Sequence, residues 1–144
     1  MTIDLLLVNA FVTWFMLGVI LVIQIVHYPL FSRVGREGFA AYQRAHERAI
    51  TWVVFPPMAV ELATAIALVA RPPAGVPAQL LWVGLGLVGV IWASTAFLQV
   101  PQHTRLEAGF SADAHRKLVR TNWIRTAAWT LRAGLLAYAL AAGR

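Results

Sequence analysis

The sequence predicts an all-α fold, a four-transmembrane-helix bundle with a kinked second helix and an interfacial amphipathic segment, and three observations predict it. The 144 residues are 60% hydrophobic and 12% charged, with a mean hydropathy of +0.69, far from the balance of a soluble domain. Four apolar runs of about 20 residues, the length that crosses a hydrocarbon core of ~30 Å, can be laid end to end with short connections, as one domain over 1–144. The cations also alternate between connections. Arg33, Arg36, Arg44 and Arg48 lie in the first, Arg105, Arg116, Lys117 and Arg120 in the third, and only Arg71 in the second. By the positive-inside rule the first and third connections face the cytoplasm and both termini lie outside, in the cell (inner) membrane. The net charge of +6 then belongs to a membrane surface, the lipid bilayer being the partner and not nucleic acid. With no cysteine in the chain, disulfides, thiolate catalysis and Cys-built metal sites are excluded.

The first helix is expected from about Leu5 to Phe31. Met1-Thr2-Ile3-Asp4 lacks the basic start of a signal peptide, so this helix reads as retained. Its polarity gathers at the cytoplasmic end, in Gln24-Ile25-Val26-His27-Tyr28-Pro29. From Gly38 to Ile50, Phe39, Tyr42, Ala45, His46 and Ala49 recur at helical spacing among arginines, the pattern of an amphipathic helix in the interface. Span two is expected over Thr51–Ala70, bent where Pro56-Pro57 removes two backbone donors. A Pro-rich turn over Arg71–Pro77 leads into span three, about Ala78–Val100, closed by Pro101. Its Gly84, Gly86 and Gly89 let a neighbouring helix or a second subunit approach closely, so the chain is expected to be a homo-oligomer. After a loop over Gln102–Ala112, Asp113 is the expected N-cap of a last helix running to Ala142.

Ionisable side chains inside a bilayer are expensive and face the bundle interior, which singles out Glu61, Arg125 and Arg132. Glu61 and Arg132 each fall about 10 residues, or ~15 Å, from the cytoplasmic ends of their spans, so they can meet at one depth. Two readings stay open: a structural ion pair, or an anion-binding or proton-handling site. In span four, His115, Leu118, Asn122, Arg125, Trp129 and Arg132 alternate at intervals of three and four along one seam. Span three repeats the pattern with Trp92, Thr95, Gln99 and His103, and span one adds Gln24 and His27. Polar stripes at that depth must face protein or a watered cavity. By depth they form a funnel opening to the cytoplasm, with Trp92 and Trp129 as an aromatic floor able to stack on a flat ligand. All four histidines fall at one membrane face. Imidazole suits iron, copper and zinc, yet no two have the spacing of a known metal motif, so no metal ligand is assigned and the cofactor stays open.

Val26-His27-Tyr28-Pro29, Pro101-Gln102-His103-Thr104-Arg105-Leu106 and Asn122-Trp123-Ile124-Arg125 together resemble the anthrone-oxygenase-like family of small four-helix membrane proteins. That family often carries Asn where His103 stands. The resemblance implies a cofactor-light oxygenation of a flat aromatic or quinone-like molecule, in which a base removes a proton and the carbanion reacts with O₂. It would make His27 or His103 the base, Asn122 and Arg125 the stabilisers of the oxyanion, and Gln24, Glu61, Trp92, Thr95, Gln99, Trp129 and Arg132 the ligand-binding lining. A second resemblance is to bacterial four-helix membrane protoporphyrinogen oxidases. It lies in size, in the basic stretch before a Pro-containing helix, and in Arg120-Thr121-Asn122, with Asn9 near where those proteins carry a ligand histidine. It implies haem held by His27 or His103 and arginines on the propionates. A non-enzymatic membrane subunit or small transporter, with Glu61 and Arg132 along its path, is the third reading.

Overall fold

The computed structural model describes residues 2–142, with side chains from residue 4 onward, and they are all-helical apart from short connections. The first long helix is α1 (Thr2–Val22), a wide π turn (Ile23–His27), α2 (Tyr28–Leu30) and a closing 3-10 turn (Phe31–Arg33). Gly35, at φ 86°, turns the chain into α3 (Arg36–Ala70). Then come α4 (Ala78–Ser94), a second π turn (Thr95–Gln99), α5 (Val100–Glu107) and α6 (Ala112–Ala142). α1 packs on α3 and α6, and α4 packs on the same two, so the four long helices form a ring in the order α1, α3, α4, α6.

Among the described residues three stretches are long and apolar enough to cross a membrane, Asp4–Arg33, Arg36–Ala70 and Ala78–Glu107, whose most apolar 18-residue segments have mean hydropathies of 2.5, 2.0 and 1.9. Their outward faces fit contact with lipid, since Phe11, Trp52 and Phe97 are each more than 70% exposed, a surface that water would penalise. Inside the ring one apolar cluster surrounds Met16, Ile20, Met58, Ile91 and Trp129. A second, toward the chain termini, gathers Leu6, Ala10, Leu68, Leu81 and Leu136. Between them lies a buried polar layer of Asn9, Thr13, Glu61, Thr64 and Arg132.

Two local expectations are corrected. Pro101 does not close the third span, because helix continues through it to Glu107. Pro29 and Pro101 each stand two residues after a π turn, in the first turn of the next helical segment. There a missing N–H is tolerated, and the widened preceding turn relieves the clash of the ring with the carbonyl four residues back. The stretch read as interfacial is helical and runs without a break into span two as the first part of α3, with Pro56 and Pro57 inside the helix. Ser111, not Asp113, caps α6: its Oγ accepts from the Ala114 N–H at 3.4 Å, leaving Asp113 in the first turn, 2.9 Å from Lys117 Nζ. That hydrogen bond holds the Asp113 carboxyl below the usual carboxylate range.

Candidate functional site

The sequence-predicted residues separate into two sites joined by one tryptophan. The deeper is an ion-pair network to which all four long helices contribute. The Glu61 carboxylate accepts from Thr13 Oγ1 at 2.6 Å, Arg132 Nε at 2.9 Å and Trp129 Nε1 at 3.0 Å. Arg132 donates further to the Gly84 carbonyl, to Asn9 Oδ1 at 2.7 Å and to Thr13 Oγ1 at 3.4 Å. Asn9 in turn donates to Thr64 Oγ1 at 2.6 Å and to the Glu61 carbonyl at 3.0 Å. With side chains 0% and 2% exposed, Glu61 and Arg132 have every strong polar atom matched by protein. That is the condition under which a buried pair holds a structure together.

The shallower site is a cavity of about 280 Å³ inside the first apolar cluster. Met16, Ile20 and Ile23 wall it on one side, Ile50, Val54 and Met58 on another, and Trp92, Thr95, Gln99, His103, Arg125 and Trp129 complete it. Its lining also includes the exposed Thr51, Phe55, Val100 and Thr104, which put its mouth between α3 and the α4–α5 side. The lining is mostly apolar with a few convergent polar groups, the usual character of a small-molecule site. Trp129 belongs to both sites. Its indole N–H is tied to Glu61, so the network beneath fixes the cavity floor.

Arg125 stands in the cavity wall and is 5% exposed. Its guanidinium donates to Asn122 Oδ1 through Nε at 2.9 Å and also through Nη2. It reaches Thr95 Oγ1 at 3.3 Å and the Tyr28 hydroxyl at 3.4 Å. All of these partners are neutral, and no carboxylate of the described residues forms an ion pair with it. Asn122 is braced from behind, its Nδ2 donating to Gln24 Oε1 at 2.8 Å, while Gln24 donates to the Val119 carbonyl at 3.2 Å.

Tyr28 links Arg125 to His103, whose Nε2 is 2.9 Å from the Tyr28 oxygen. On the far side of the ring, His103 Nδ1 is 2.8 Å from Gln43 Nε2, which donates to Glu47 Oε1 at 2.6 Å. A neutral imidazole has one donor and one acceptor. With Gln43 donating to Nδ1, the ring proton sits on Nε2 and points at Tyr28. The Tyr28 oxygen then accepts from both His103 and Arg125, which leaves its hydroxyl proton free for whatever occupies the cavity.

Other predicted residues lie elsewhere. His27 does not line the cavity; its Nε2 is 2.9 Å from His46 Nδ1, in a groove between α1 and α3. The π turn is the reason: it spaces neighbours by four to five residues, not three to four, so Gln24 and Tyr28 share the buried face and His27 turns to α3. His115 Nε2 bonds the Tyr28 carbonyl at 2.8 Å. Among the described residues no group of three or more His, Asp or Glu side chains is arranged to hold a metal ion. Gln99 lines the cavity yet is held by Ser94 Oγ at 3.0 Å and Thr121 Oγ1 at 3.1 Å. Tyr28, Gln43 and Glu47 are the residues that sequence reasoning missed as site members. Tyr28 stood inside a quoted motif, and Gln43 lies four residues before Glu47, so only the fold shows that they meet His103. Compared with protein-family models, curated proteins and solved structures, the chain matches none of them.

Proposed function

We propose that the chain is a four-span inner-membrane protein that binds a small, flat, weakly acidic aromatic in the Tyr28–His103–Arg125 cavity and oxygenates it through an anion. The observation that carries this reading is Arg125, a buried cation with only neutral partners at the polar end of an apolar cavity. An uncompensated charge in low dielectric costs several kcal/mol, and an anion formed beside it recovers much of that cost. The site therefore favours the ionised form of a ligand over its neutral form, which is the requirement for drawing a proton from carbon. The His103–Tyr28 pair takes the proton, with Arg125 holding the Tyr28 oxygen and the Gln43–Glu47 pair fixing the imidazole. The carbanion adds O₂, and the hydroperoxide so formed at a methylene loses water to leave a carbonyl, so that one CH₂ and one O₂ give one C=O and one H₂O. The resemblance to the anthrone-oxygenase-like family supports the same chemistry.

The fourth span is α6. Its mean hydropathy is lowered by Arg125 and Arg132, but both are buried, and from Trp123 onward its exposed face carries Trp123, Ile124, Leu131 and Tyr138 and no charge. Lipid meets only that face. The first and third connections are cytoplasmic and both termini outside, as the arginine distribution dictates. α3 bends at Pro56-Pro57, beside the cavity residues Phe55 and Met58, where the carbonyls of Trp52 and Val53 have lost their donors. Gly86 and Gly89 are exposed with open space around them, a face on which a second copy of the chain packs.

The test is oxygen uptake by detergent-purified protein given a tricyclic aryl ketone with an activated methylene. Uptake equimolar with the diketone formed, and lowered about a hundredfold or more by Arg125→Gln, is expected. Uptake no faster than in protein-free micelles overturns the reading.

A further inference from the structure

Four buried side-chain polar atoms have no hydrogen-bond partner among the described residues: Gln43 Oε1, His46 Nε2, Trp92 Nε1 and Gln102 Oε1. Only the third belongs to a residue that lines the cavity. Trp92 meets Phe55 edge-on, at 6.2 Å between ring centroids, and its indole nitrogen is left with nothing to donate to. An indole N–H donates and never accepts, and leaving one unmatched away from water is costly. Trp129, the other cavity tryptophan, shows the contrast, since its N–H is committed to Glu61.

The geometry points to Trp92 as a ligand-reading residue: its Nε1–H donates to a carbonyl-type oxygen on the molecule that fills the cavity, and so selects ligands that carry one. This rests on the small-molecule reading of the cavity and assigns Trp92 a different task from stacking. A flat hydrocarbon of the right shape satisfies the apolar walls but leaves the indole unmatched, whereas the corresponding ketone completes it. One neutral hydrogen bond to a buried donor corresponds to a preference of roughly three- to tenfold in affinity.

Fluorene and fluorenone separate the two demands, because they share a tricyclic shape and differ in the ketone oxygen. The full chain, labelled with ¹⁵N at its six tryptophans, reports each indole N–H separately in detergent micelles. Trp92 is assigned by the signal lost in Trp92→Phe, or, if that variant misfolds, by line broadening from a spin label on Thr51→Cys at the cavity mouth. Fluorenone moving the Trp92 indole proton downfield where fluorene does not, with fluorenone bound roughly three- to tenfold more tightly, is the expected result. Both probes bound with equal affinity and equal Trp92 shifts overturn the donor role while leaving the cavity reading intact. Neither probe disturbing any cavity resonance overturns the cavity reading and this inference with it.

Discussion

Replacing Glu61 by alanine removes the acceptor on which three helices converge. Arg132 keeps its charge but is left with the Gly84 carbonyl, Asn9 and Thr13, and the hydroxyl of Thr13 and the indole N–H of Trp129 lose their acceptor. Deleting one partner of a buried ion pair costs about 3–5 kcal/mol, because the other charge stays buried. Deleting both is different. Glu61→Leu with Arg132→Met leaves an apolar layer continuous with the clusters above and below, and is expected to recover at least half of the loss, a double-mutant coupling of roughly 2 kcal/mol or more. The assay is reversible unfolding in mixed micelles of increasing SDS content, followed by helicity, for the wild type, Glu61→Ala, Glu61→Leu, Arg132→Met and the double variant. A Glu61→Ala cost below about 1 kcal/mol, the ordinary worth of one interhelical hydrogen bond in a membrane, refutes the argument that this pair anchors the bundle. So does a double variant whose cost is the sum of the singles.

The remaining predictions bear on packing, topology and chemistry. A Cβ on Gly84 would stand 3.3 Å from Arg132 Nη1, so Gly84→Val should destabilise the same mixed-micelle transition by about 1–3 kcal/mol. Gly86→Leu, with open space around it, should leave that transition within about 0.5 kcal/mol of wild type and shift the particle toward monomer by light scattering. In the cysteine-free chain, a membrane-impermeant maleimide applied to right-side-out spheroplasts should label Ala74→Cys and spare Ser32→Cys and Ala108→Cys; the reverse pattern inverts the topology. Tyr28→Phe and His103→Ala should each lower turnover about 10²- to 10⁴-fold, whereas His27→Ala, whose ring faces the groove between α1 and α3, should retain it in the same oxygen-uptake assay.

What the sequence made legible was whatever depends on regular helical periodicity. The seam through Asn122, Arg125, Trp129 and Arg132 comes out on one buried face, because α6 is uninterrupted over that stretch. Equal depths for Glu61 and Arg132 anticipated their contact, for the same reason. Irregular backbone was not legible. Apolar residues and a following proline look alike in an α and a π turn, so the widened turns at Ile23–His27 and Thr95–Gln99 left no mark, and with them went the exchange of His27 for Tyr28 on the inward face. Pro101 read as a stop because a proline normally ends a helix; the turn before it removes the clash. Gln43 and Glu47 sat in what read as an interfacial helix, outside any expected site. Only the unbroken run of α3 into the bundle brings them to His103, by side chains 60 residues apart in the case of Gln43.

The most direct test of the central claim, that the unpaired Arg125 makes this cavity prefer an anion, is the ionisation of a coloured aromatic phenol bound in it. Its visible spectrum would be titrated in detergent-purified protein and in protein-free micelles. The account predicts that the bound phenol ionises at lower pH than the free one, and that Arg125→Gln reverses the sign of the shift, since the apolar walls alone favour the neutral form. A bound phenol that ionises at higher pH in the wild type than in protein-free micelles would contradict it.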